Sequence, residues 1–103
     1  MHFVYTLLQN GDLEAAKQYS LEQTNKDHLY YGANEAFLAM LAYIVYKEDD
    51  EQQAKEYFEK QQSMKNSMTK SYILNYDFPS VQSRDFVNDY IKVLQSMGMP
   101  DQS

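Results

Sequence analysis

The sequence predicts an all-α domain of antiparallel helical hairpins, with five or six helices. Three observations carry that prediction. Apolar residues recur at helical spacing along most of the 103-residue chain. The three Gly and two Pro fall mostly where such helices would stop. One stretch also repeats another at an offset of 38 residues, Gly11 onto Asp49.

The elements follow in order. Phe3, Val4, Leu7 and Leu8 share one face of a first helix that runs to about Gln9 and is broken by Asn10 and Gly11. Asp12 can cap a second helix by accepting its free backbone N–H groups, and that helix reaches about Gln23. A third helix starts between His28 and Ala33 and ends near Lys47. Its run from Ala36 to Tyr46 is apolar on every side, which marks it as the central buried helix. A fourth helix carries Ala54, Tyr57, Phe58, Met64 and Met68 as its stripe. On its outer face Glu51 with Lys55 and Glu56 with Lys60 stand at i, i+4, the favourable order for ion pairs. Ser67 to Tyr76 suits a short fifth helix. Pro79 makes a turn after Phe78, because the residue before a proline is pushed out of helical geometry. The last helix, capped by Ser80 or Ser83, bears Phe86, Val87, Tyr90, Ile91 and Leu94 and stops at Gly98 and Pro100. One domain over residues 1–100 results, in units of about 1–27, 28–66 and 67–98, with 101–103 as a loose tail.

Composition narrows the function classes. A formal charge of −6, with nine Lys and Arg dispersed along the chain, disfavours nucleic acid and anionic membrane surfaces. The absence of Cys excludes disulfides, thiolate nucleophiles and Cys-based zinc sites. The Ala36–Tyr46 run is shorter than the ~20 residues a bilayer requires. Residues 1–10 lack the features of a signal peptide. The expected location is cytoplasmic, with the chain either free or the soluble part of a larger or membrane-anchored protein. Ten Tyr and five Phe are unusual for this length, and Tyr suits half-buried positions and interfaces.

Motifs for chemistry are weak. Ser67-Met68-Thr69-Lys70 has the serine–lysine spacing of some acyl-transfer enzymes but none of their companion motifs, and it reads as a connection. Asp49, Asp50 and Glu51 lack the alternation and Gly of a calcium loop and fit a helix start. His2 and His28 have no partners at metal spacing, and no glycine-rich phosphate loop occurs. No cofactor and no metal is implied.

The internal repeat is more informative. Gly11-Asp12-Leu13-Glu14-Ala15-Ala16-Lys17-Gln18-Tyr19 aligns with Asp49-Asp50-Glu51-Gln52-Gln53-Ala54-Lys55-Glu56-Tyr57, matching Asp, Ala, Lys and Tyr. The pattern resembles the tetratricopeptide repeat. Leu38, Leu41, Ala42 and Val45 stand at that family's first-helix packing positions, and Ala54 and Phe58 at second-helix ones. Phe3, Val4, Leu7, Gly11 and Ala16 match in the first unit, whose family aromatic would fall before Met1, as though the chain were cut from a longer protein. The sequence departs from the family in its 38-residue spacing, against about 34, in having no Pro at the unit ends, and in placing Ser20 and Gln61 at packing positions.

The resemblance implies a superhelix whose concave face is lined by first-helix residues. Here those are Tyr5, Leu8 and Gln9, then Ala36, Ala39, Tyr43, Tyr46 and Lys47. Tyr5, Leu8, Tyr43, Tyr46 and Lys47 are the candidate partner-binding residues. The surface is expected to take a protein or peptide, a second copy of the domain, or the chain's own last helix. The implied function is a non-catalytic interaction or assembly module. The alternative is a regulatory sensor of a small peptide or ligand.

Overall fold

The computed structural model describes residues 2–26, 33–78 and 84–102. They form six helices and, among the described residues, no strand. The helices are α1 (His2–Gln9), α2 (Leu13–Thr24), α3 (Ala33–Lys47), α4 (Glu51–Gln62), α5 (Lys70–Tyr72) and α6 (Arg84–Ser96), with α5 running into a π-helical stretch, Ile73–Asp77. None of the described helices is long and apolar enough to cross a membrane. The expected turn at Pro79, the caps Ser80 and Ser83, and His28 lie outside the described residues.

The two aligned segments fold alike. At the end of α1 the N–H of Asp12 donates to Leu7 O and that of Gly11 to Leu8 O. At the end of α3 the N–H of Asp50 donates to Val45 O and that of Asp49 to Tyr46 O. These are the paired bonds that close a helix through one left-handed residue. Gly11 takes that conformation at φ +76°, and Asp49 takes it at φ +66° despite its side chain. The next residue caps the following helix each time, with Asp12 accepting from Ala15 N and Asp50 from Gln53 N, both at 3.1 Å. Burial repeats as well: Ala16, Ser20 and Gln23 on α2 are buried, as are Ala54, Phe58 and Gln61 on α4.

Helix α3 forms the centre. Ten of its fifteen residues, Glu35, Ala36 and Leu38 to Val45, are buried. Its main neighbours are α4 and α2, and α6 packs on it as well. Ala16, Ala42 and Ala54 have no exposure, so the backbones approach closely at these points.

Three boundaries differ from the sequence reading. Helix α4 ends at Gln62, before Met64 and Met68. The chain turns because Ser63 Oγ donates to Lys60 O and the buried Gln61 Oε1 accepts from Met68 N at 2.9 Å. Met68 is still buried, but from the connection rather than from the α4 stripe. The fifth helix is only three residues long before it widens to π geometry. Asp101, assigned to the loose tail, is held: Ser71 N donates to its carbonyl and Gln95 Nε2 to its carboxylate, while Lys70 N donates to Pro100 O. The tail thereby caps α5. The Glu51–Lys55 and Glu56–Lys60 ion pairs do not close, as exposed pairs gain little from being held.

The left-handed turns yield a paired expectation. A Cβ on Gly11 would meet nothing within 4 Å, so Gly11→Ala isolates the backbone effect and should lower stability by about 1 kcal/mol. Asp49→Gly should raise stability, by up to about 1 kcal/mol. Urea denaturation would check both, and shifts of the same sign would refute the equivalence of the two turns.

Candidate functional site

The candidate residues divide into two groups. Tyr5 on α1 and Tyr43 on α3 face the last helix. The Tyr5 ring lies 5.2 Å from Phe86 and 6.0 Å from Phe78, centroid to centroid. The Tyr43 ring lies 5.8 Å from Phe86 and 5.2 Å from Tyr90, in edge-on contacts. Phe78 touches Phe86 and Tyr90 at 5.5 and 5.8 Å, closing a five-ring cluster. The edge-to-face geometry sets positive ring edges against negative faces. Helix α6 therefore covers the Tyr5–Tyr43 part of the expected concave face, one of the occupants the sequence left open. Tyr43 retains only 6% exposure, and Leu8 is half-buried against the core.

The edge of this contact is polar. Tyr43 Oη donates to Asp89 Oδ2 at 2.8 Å, and Lys47 Nζ lies 3.0 Å from the same oxygen. The Lys47 ammonium also stands 5.9 Å from the Tyr43 ring centroid. Burial first, and the Asp89 carboxylate second, push the Tyr43 phenol far above its usual range, so it remains a neutral donor. Burial alone would raise Asp89, but the hydrogen bonds from Tyr43 and Lys47 outweigh it and hold the carboxyl below its ordinary value. Lys47 is thus bound at its tip to α6, although its side chain is exposed.

Tyr46 belongs to the second group. One turn further along α3, it lines a half-open cleft of about 480 Å³ with Glu51 and Lys55 of α4, Ser96 of α6 and Met97 just beyond it. The α3–α4 turn sets this arrangement, because it brings the first turn of α4 beside the end of α3. Glu51 and Lys55 share one side of α4 and form no ion pair with each other. The cleft combines a ring, a thioether and two opposite charges.

The acidic motif forms a turn and cap, and the serine–lysine segment leads into α5. Asp49 and Asp50 make the α3–α4 turn, and among the described residues no group of three His, Cys, Asp or Glu could hold a metal ion. Thr69 accepts from Tyr72 N and caps α5. Sequence reasoning found the α6 stripe but not where it docks. Asp89 lies off that stripe, and nothing in the sequence links it to Tyr43, 46 residues away. No protein-family model, curated protein or solved structure matches the chain.

The two Tyr positions should respond differently to truncation. Tyr43→Ala should cost about 3–5 kcal/mol, the range for a large ring removed from a core. Tyr43→Phe should cost only about 1 kcal/mol, for the lost hydrogen bond to Asp89. Tyr46→Ala should cost about 1 kcal/mol or less. Denaturation of the three variants would check this order, and equal losses at positions 43 and 46 would contradict it.

Proposed function

We propose that this domain is a non-catalytic protein-interaction module of tetratricopeptide-like helical pairs, acting in the cytoplasm. The contact residues proposed are Tyr46, Glu51, Lys55 and Met97, binding a short peptide segment. The observation that carries the reading is the cleft at the end of α3, which brings these groups together at the surface while Tyr5 and Tyr43 are covered by α6. The repeated turn and cap support the tetratricopeptide-like part. A ring and a thioether suit one apolar side chain of a peptide, and Glu51 and Lys55 suit a charge beside it. A regulatory sensor of a small ligand is the second reading, favoured by a volume within the range of roughly 300–1,000 Å³ typical of small-molecule pockets.

Selection of a random peptide library against the whole chain would test both readings. Enriched peptides should shift the NMR signals of Tyr46, Lys55 and Met97 first. Tyr46→Ala and Lys55→Glu should each weaken binding by about tenfold or more, the loss of a central anchor, with melting little changed. Peptides that map to another face would overturn the assignment. A library without binders, together with small-molecule fragments that shift Tyr46, would favour the sensor.

A further inference from the structure

The π-helical stretch carries an open aromatic ring that the core does not use. Among the described residues, Phe3, Leu74 and Tyr76 are the large hydrophobic side chains left exposed, and Tyr76 is the most open, at 71%. Its ring packs against that of Tyr72 on α5, with centroids 4.9 Å apart and planes tilted by 34°. The contact holds the Tyr76 ring in place, so less side-chain freedom is lost when a ligand settles on it. A lone exposed ring is ordinary. A ring held in place beside a carboxylate without a Lys or Arg partner is not.

That carboxylate is Asp77, the next residue in the chain. It is half-buried, and its Oδ2 has no hydrogen-bond partner. Among the described residues the ion pairs are Lys17–Glu48 and Lys47–Asp89, so no described Lys holds Asp77. Burial pushes the carboxyl up to about 7, against the pull of the chain's α-amino charge. The neighbourhood is negative as a whole. Burial raises the Tyr72 phenol, and the charges of Asp77 and Glu35 raise it further. Tyr72 thus sits beside both features: Tyr76 touches its ring, and the two carboxylates act on it through space. A carboxylate drawn out of water without a counter-ion is costly, and its complement is a cation.

Ring and carboxylate together select the kind of cation. An aromatic face attracts positive charge through its quadrupole. Arg fits the pair better than Lys, because a planar guanidinium stacks on a ring while its N–H groups fork onto a carboxylate. We propose that Tyr76 and Asp77 form a recognition site for an arginine side chain of a partner protein, with the guanidinium on the open face of the Tyr76 ring and its N–H groups donating to the Asp77 carboxylate. The formal charge of −6 favours the approach of such a basic partner at longer range. The site shares no residue with the cleft lined by Tyr46, Glu51 and Lys55, so neither reading depends on the other.

N-Acetyl-arginine methylamide is the probe, titrated into the whole chain at about pH 8, where a carboxyl with a midpoint of about 7 is mostly ionised. NMR should show the Tyr76 ring and Asp77 carboxyl signals moving first. The citrulline analogue has nearly the same shape and no charge. It should bind about tenfold or more weakly, the loss expected when a charged hydrogen-bond partner becomes neutral. Tyr76→Leu keeps an apolar side chain but removes the π face, and should weaken binding of the arginine probe by about threefold. Because Tyr76 is exposed, that variant should melt as the wild type does. Equal binding of the two probes would overturn the proposal, since charge would then play no part. So would an absence of response, shifts confined to Tyr46 and Glu51 or to another face, or undiminished binding by Tyr76→Leu. The comparison of probes uses the wild-type chain, so the test survives a variant that fails to fold.

Discussion

A helix that is apolar almost all round is unfavourable at a surface, and α3 is such a helix. Ten of its residues are buried, and each neighbour covers a different part of it. Helices α2 and α4 flank it, with Ala16 and Ala54 allowing close approach. Two hairpins alone leave the Tyr43 side of α3 without its α6 contacts. Burying apolar area is the dominant favourable term in folding, at ~25 cal/mol per Å². The amphipathic α6 is the element available to cover that side, and its Phe86 and Tyr90 rings meet Tyr43 there. The docking of α6 on α3 is thus a consequence of α3 being so apolar.

Tyr is well suited to this arrangement because each ring carries a polar tip that must be placed. Tyr43 reaches the edge of the contact and meets Asp89, which also holds Lys47. Tyr90 sits deeper, and its hydroxyl is left without a partner. The same packing thus contains one satisfied phenol and one unsatisfied one, separated by a single ring contact of 5.2 Å. The difference is depth: at the rim a carboxylate keeps partial access to water, whereas beside Tyr90 the nearby acid is Asp77, which burial pushes towards its neutral form.

Much of the fold was legible because it is local. Gly11, Asp12 and Asp50 announce turns and caps through their own backbone preferences, and the apolar run of α3 announces its burial. The aligned segments predicted a shared structure, and the turns share their hydrogen bonds down to the donor and acceptor positions. Gln61 is instructive in the other direction. As a polar residue at a packing position it looked like a departure, yet its side chain accepts the Met68 N–H and so fixes the path out of α4. That bond depends on where the chain returns, which periodicity does not encode. The site was less legible for the same reason. Tyr5, Tyr43 and Tyr46 all stand at first-helix positions, and only the docking of α6 separates two covered rings from one beside an open cleft.

The repeat also explains where it stops. A third unit at the same offset would place its turn at Val87 and Asn88, but both lie inside α6. The chain between Gln61 and Phe78 instead makes a connection, a three-residue helix and a π-helical stretch. A π turn widens the helix and shifts the side chains beyond it relative to an α-helical register. Here Phe78 follows directly and enters the ring cluster beside Tyr90. The irregular stretch therefore places Phe78 against Tyr5 of α1 and against Phe86 and Tyr90 of α6.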